Sequence, residues 1–213
     1  MTATSAAGAA SRGRDRLRRL APWVIGIVLL VVGFAIDPWA YHHVVLRNVY
    51  DFDWGRALRT MGYWPLWAAV SLALWLHDRV GSTPSRPPGR RAWQLIASVS
   101  IAGIVAELLK LLVRRERPSL HDGANVFRAW SDRPLSSSGL GFPSSHAVEA
   151  FAAATVLGQL FPESRALWWA LAVACGLTRI MSGAHFTSDV VAGSLIGALI
   201  ATILARSERH ATA

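Results

Sequence analysis

The sequence predicts an all-α polytopic membrane protein, a six-transmembrane-helix bundle with a short interfacial amphipathic helix. Three observations predict it. Hydrophobic residues make up 53% of the 213 and charged residues only 16%, well under the roughly 25% usual in soluble domains. Six apolar runs recur along the chain, separated by short polar stretches, as membrane-spanning helices require. Tryptophans 23, 39, 64, 67, 75, 93, 168 and 169 fall near the ends of those runs, the placement of an aromatic belt.

Residues 1–19 are expected to form a disordered cytoplasmic tail. Its small polar start is followed by Arg12, Arg14, Arg16, Arg18 and Arg19, a charge run that holds this end in the cytoplasm. The first span is Leu20–Ile36. A signal peptide is the competing reading, weakened by a poor cleavage pattern around Gly33-Phe34-Ala35. Between the first two spans, Leu46, Tyr50, Trp54 and Leu58 recur every four residues, with Arg47, Asp51, Arg56 and Arg59 between them. That spacing predicts an amphipathic helix, either lying in the outer interface or packed on the bundle as a lid. The remaining spans are Met61–Leu76, Ala92–Val113, Ser144–Phe161, Ala166–Met181 and Gly183–Ala205. Residues 20–206 thus form one domain and residues 207–213 a cytoplasmic tail. Several uncharged cores fall short of the roughly 20 residues a span needs, so their polar ends must be helical too.

Positive charge orients the bundle. The loop with Arg79, Arg86, Arg90 and Arg91, the turn ending at Arg165, and the tail with Arg206 and Arg209 are cytoplasmic. The connections near residues 37–60, 114–143 and 182–188 then face outward. In that long second connection, His121, Asp122, Arg128, Asp132 and Arg133 lie with Trp130 and read mostly as solvated groups, the alternative being a loop that gates head-group access. An Ala- and Arg-heavy composition points to a GC-rich bacterial genome, hence to the inner membrane with the outer connections in the periplasm.

The formal charge of +9 admits nucleic acid, anionic lipid or a phosphorylated substrate. Nucleic acid is set aside, because the basic residues interrupt apolar segments and no binding motif accompanies them. The single Cys175 excludes an internal disulfide and a Cys-rich metal site.

Three polar clusters remain, and the topology brings all three to the outer face. The first runs from Lys110 to Arg117-Pro118, the second is Pro143-Ser144-Ser145-His146, and the third joins Arg179, His185 and Asp189. Charges at a membrane boundary are costly and mark functional sites by default. Lys110, Arg117 and Arg179 at one level would repel one another unless an anion sits among them, and phosphate fits Arg bidentately and Lys as a point charge. Each cation alone would more simply snorkel toward head groups. Ser144 at a helix start leaves backbone N–H groups near Ser145 facing an anion. His185 and Asp189 stand at i, i+4, so in the first turn of a helix they share one face. The carboxylate would then hold Nδ1–H and leave Nε2 as a nucleophile. His146 would serve as general acid and then general base. Glu107, one turn before Lys110, and Glu149, three residues after His146, read either as partners of the site's cations and histidine or, in preference, as structural carboxylates in the bundle.

Lys110-(six residues)-Arg117-Pro118, Pro143-Ser144-Ser145-His146 and Arg179-(five residues)-His185-(three residues)-Asp189 resemble the three-part signature of the type 2 phosphatidic acid phosphatase superfamily. The motifs cover about residues 105–195. The resemblance implies a six-helix bundle, lipid phosphate or diphosphate substrates, no metal or other cofactor, and a site outside the cytoplasm. It implies His185 as nucleophile, Asp189 as its partner and His146 as acid/base. It implies Lys110, Arg117, Ser144, Ser145 and Arg179 around the phosphate. Ser145 stands where the family usually has Gly, and Thr178 where it usually has Ser. The competing functions are a lipid-linked phosphotransferase, a non-catalytic phosphate-lipid binding or transport protein, and a vanadate haloperoxidase.

Overall fold

A computed structural model describes the backbone of residues 3–80 and 89–211, and the side chains of residues 20–80 and 89–207. Among the described residues all regular structure is helical: α1 (Ala3–Val44), α2 (Asp53–Arg59), α3 (Trp64–Val80), α4 (Arg90–Val113), α5 (Ser145–Leu160), α6 (Arg165–Met181) and α7 (Thr187–Ala211). Only isolated bridges, Arg115 with Phe127 and Glu116 with Leu140, add extended pairing. Three helical stretches, Leu20–Val44, Arg90–Val113 and Thr187–Ser207, are long and apolar enough to cross a membrane. The other three apolar runs also form helices, but α3, α5 and α6 have 17, 16 and 17 residues.

α5 is the centre of the bundle, packed against α4, α6 and α7. Its Ala147, Ala150, Ala152, Ala153 and Ala154 are fully buried, so small side chains face neighbours on every side. Against it α7 presents Gly193 and Gly197, the small-xxx-small spacing that lets helix backbones approach in a membrane. A Cβ on Gly197 would collide with the Val148 carbonyl oxygen.

Several local expectations are revised. The first outer connection is expected near residue 37, but α1 runs on through Pro38 to Val44, which places Asp37 inside the helix, where it is buried. α1 also reaches back to Ala3, through the stretch read as a disordered tail; the side chains there lie outside the described residues. The amphipathic segment is helical only as α2. Residues 47–52 turn instead, because Val49 is buried and Gly55 packs onto its carbonyl, and α2 docks on α6. Phe52 and Trp54 stay exposed. Trp67 belongs to the core, not to a belt: it is buried and its Nε1–H donates to the Met61 carbonyl at 2.8 Å.

The long connection after α4 is a built platform. Arg114, fully buried in the left-handed conformation that ends α4 (φ 58°), donates to the carbonyls of Arg128, Ala129, Asp132 and Pro134. Arg128, expected to be solvated, is buried and pairs with Glu116 at 2.7 Å. Glu116 also pairs with His121. The loop folds back because these buried guanidinium groups need acceptors.

Candidate active site

The C-terminal ends of α4 and α6 and the N-terminal ends of α5 and α7 meet at one end of the bundle. Each carries one part of the site.

α7 opens at Thr187, later than its apolar pattern predicts. His185 therefore lies in the loop before the helix, and not in its first turn. The cause is a capping arrangement: the Asp189 Oδ2 accepts the Phe186 backbone N–H at 2.9 Å, as an acidic residue in a first helical turn does for the residue that caps it. The expected His185–Asp189 hydrogen bond is not made; Nδ1 and Oδ2 are 3.7 Å apart, beyond bonding range. Nδ1 is instead 2.8 Å from the Gly141 carbonyl. A carbonyl only accepts, so Nδ1 carries the proton and Nε2 keeps its lone pair. Burial first, and then the charges of Arg179, Arg117 and Lys110, hold the pKa of His185 well below its ordinary value. The ring is neutral.

At the start of α5, the Ser144 N–H donates to the Asp189 carbonyl at 3.0 Å. The Ser144 Oγ is buried without a partner. Ser145 opens the helix with ordinary helical backbone, so the Ser at this position needs no left-handed conformation. Its hydroxyl bonds Lys110 and donates to the Glu107 carboxylate at 2.7 Å. Glu107 also takes the Lys110 ammonium at 2.6 Å. His146, half-buried in the first turn, lies within electrostatic reach of Arg179, His185, Arg59 and Lys110.

Arg179 is buried at the end of α6, and its Nε has no partner. Its Nη1 donates to the Tyr50 hydroxyl at 2.6 Å, and that hydroxyl donates to the Thr178 carbonyl at 3.1 Å. Arg117 makes only a long contact, 3.4 Å, to the Leu140 carbonyl. Lys110, Arg117 and Arg179 thus surround His185, and two buried polar atoms, the Ser144 Oγ and the Arg179 Nε, are left unsatisfied at the same end of the bundle. An anion that accepts several hydrogen bonds answers both features. Glu149 is partly buried, with Oε2 unpartnered.

Four further residues bear on the site. Tyr50 pins Arg179, and Arg59 lies 4.9 Å from the centre of the Tyr50 ring. Asp37 and Arg115 form a buried ion pair at 2.8 Å, and Arg115 also donates to Asp189 at 2.8 Å. Asp37, a carboxylate ending an otherwise uncharged apolar run, carried a signal that could have found it.

An apolar groove of about 800 Å³ lies between α1, α5, α6 and α7, lined among others by Leu29, Phe151, Val173, Leu177 and Val190. One end reaches Ile180 and Thr187, one residue from Arg179 and two from His185.

The profile of the PAP2 superfamily matches residues 91–212. The chain belongs to the PAP2 superfamily. It is 40% identical over 181 residues to a lipid A 1-phosphatase of Rhizobium johnstonii, covering 83% of this chain and 64% of that protein. It is 37% identical over 119 residues to a decaprenylphosphoryl-5-phosphoribose phosphatase of Mycobacterium tuberculosis, covering 55% of this chain and 62% of that one. The chain therefore spans somewhat less than two thirds of the length of these relatives. The crystal structure of a transmembrane PAP2-type phosphatidylglycerolphosphate phosphatase from Bacillus subtilis superposes with a TM-score of 0.64 over 91% of this chain and 97% of that chain. At 15% identity this likeness concerns the fold alone. Family and apolar helices together make this PAP2 protein a membrane protein.

Proposed function

We propose that this PAP2 protein is a metal-independent phosphatase of a lipid phosphate monoester or diphosphate, working through a phosphohistidine on His185. The observation that carries the reading is the neutral His185, its Nδ1–H held by the Gly141 carbonyl at 2.8 Å and its surroundings cationic. Binding an anion needs cations but no such nucleophile.

Nε2 attacks phosphorus in line, forming the N–P bond as the bond to the lipid oxygen breaks. Lys110, Arg117, Arg179, Ser144 and Ser145 neutralise the equatorial oxygens. His146, which takes up a proton once the phosphate anion sits among these cations, gives it to the leaving lipid oxygen. Neutral again, it takes a proton from water, which attacks phosphorus and frees His185 and inorganic phosphate. Asp189 offsets the positive charge that develops on the imidazole. Glu107 now occupies Lys110 and Ser145 and must yield them to the phosphate.

The membrane arrangement belongs to the same reading. Six spans put the site at the outer face of a bacterial inner membrane. The 3₁₀ turns Thr60–Gly62 and Pro162–Ser164 adjoin α3 and α6 and supply length those spans lack. The apolar groove gives a hydrocarbon chain a place beside the site. Phosphatidate, phosphatidylglycerophosphate, a polyprenyl diphosphate and a lipid A phosphate are the substrate types, and the relatives are named for lipid A and for a decaprenylphosphoryl phosphoribose.

The test is phosphate release by detergent-purified protein from a panel of these lipids, with EDTA present, beside His185→Ala. EDTA-resistant release that His185→Ala abolishes is expected. Release that survives His185→Ala refutes the nucleophile. A folded protein that releases nothing refutes the phosphatase.

A further inference from the structure

The Asp189 carboxylate has two oxygens with different duties. Oδ2 takes the Phe186 N–H and faces His185, while Oδ1 takes Arg115 Nη1 at 2.8 Å. Which oxygen faces the histidine is therefore set by Arg115. Arg115 is itself held on every side: Nη1 also donates to the Ser188 hydroxyl at 2.6 Å, Nη2 to Asp37 Oδ2 at 2.8 Å, and Nε to the Asn125 side-chain oxygen at 2.8 Å. Its guanidinium stacks on the Phe186 ring, 3.9 Å from the centroid. Asp37 closes the circuit from α1. Its Oδ1 accepts the Ser188 N–H at 2.9 Å, and its Oδ2 accepts the Ser188 hydroxyl.

All four groups are shut away from solvent: Asp37 is 3% exposed, Arg115 1%, Ser188 and Asp189 0%. A second, independent feature shows that α1 is seated here by design of the backbone. Gly33, one turn before Asp37, comes so close to α7 that a Cβ on it would lie 3.2 Å from the Ser188 Cα. That approach brings the Asp37 carboxylate to the first turn of α7.

We propose that Asp37 and Arg115 are positioning residues that orient Asp189 and the Phe186 backbone behind His185, so that α1 is part of the working site. Asp37 lies outside the 91–212 span of the family match, so the family signature does not assign it. Neither residue touches the phosphate. Each acts through Asp189, as outer partners orient a ligating or catalytic group elsewhere.

The kinetic half of the test rests on the phosphatase reading; the spectroscopic half does not. Asp37→Asn and Arg115→Lys are made in the full chain and assayed with dioctanoyl phosphatidate. A reduction in kcat of about tenfold or more is expected, the order seen when an orienting partner is lost, with KM within about twofold. Asp37→Asn keeps an acceptor for the Ser188 N–H, so a packing role alone would leave kcat intact. In parallel, protein labelled with ¹⁵N-histidine gives the His185 ring resonance, identified by its absence in His185→Gln. That resonance is expected to move in both variants. Should either variant fail to fold, Ser188→Ala, which removes only the bridging hydroxyl, is read the same two ways. Unchanged kcat with an unmoved resonance overturns the proposal, and so does a raised KM at full kcat. If the wild-type chain hydrolyses nothing, the resonance alone decides: movement supports positioning by α1, and no movement overturns it.

Discussion

Replacing Tyr50 by Phe removes one oxygen and isolates what that oxygen does for Arg179. The Tyr50 hydroxyl accepts from Arg179 Nη1 at 2.6 Å and passes its own proton to the Thr178 carbonyl at 3.1 Å. No other side-chain bond to the guanidinium is made on that side, since Nε is unpartnered. The ring contact survives the change: Cζ of Arg179 lies 5.6 Å from the Tyr50 centroid, and Phe keeps the face. What is lost is one hydrogen bond to a charged donor, worth about 1.5–3 kcal/mol net. The low end applies, because Tyr50 is only half-buried and water can replace part of the bond. At about 1.4 kcal/mol per factor of ten, kcat/KM should fall about tenfold if Arg179 must be held to meet the phosphate. The assay is phosphate release at subsaturating dioctanoyl phosphatidate, for Tyr50→Phe, Arg179→Lys and the pair. Because Tyr50 acts through Arg179, the double variant should lose less than the product of the singles, as contacting residues do. A kcat/KM within about twofold of wild type, or strictly multiplicative losses, would refute the reasoning.

Two further outcomes follow from the same structure. His185 has a pKa well below its ordinary value of about 6.5, so below pH ~6.5 the unfolded chain binds a proton that the folded chain does not. Stability therefore falls as pH drops through that window, by up to about 1.4 kcal/mol per pH unit for this group. Denaturation of His185→Gln between pH 5 and 8 should show a shallower fall, and an unchanged slope would contradict a neutral buried ring. Val173→Trp narrows the apolar groove beside α6. It should raise KM for long-chain lipid phosphates several-fold while leaving dioctanoyl substrates near wild type; equal effects on both would remove the groove from the substrate path.

The sequence discloses the parts of this protein better than their joins. Apolar runs mark where helices form, because burial in lipid or protein demands the same composition, and all six runs are helical. The three polar clusters converge because their order and the alternation of the helices leave no other level for them. What hydropathy does not carry is direction. Trp67 and Trp93 sit in similar sequence surroundings, yet one is 1% exposed and the other 66%. Arg128 in a polar loop reads as solvated, and Glu116 twelve residues earlier, with the Ser136 and Ser138 carbonyls, makes it a buried partner. The His185–Asp189 spacing suggests a shared helical face, but the carboxylate is claimed by Phe186 and by Arg115, 74 residues away. Asp37 meets Arg115 across 78 residues. Pairings of that reach depend on how helices seat against one another, and no local pattern encodes them.

The hydrogen bond from the Ser144 N–H to the Asp189 carbonyl, 3.0 Å long, joins the start of α5 to the first turn of α7 through main chain alone. The spacing between the helix starts that carry Ser144 and Asp189 is thus held by the backbone. Contacts along the apolar groove can then be exchanged without disturbing that spacing. For redesign, this separates two problems: chain contacts can be altered along the groove, while the register of α5 against α7 is held by two peptide groups that side-chain substitution does not remove.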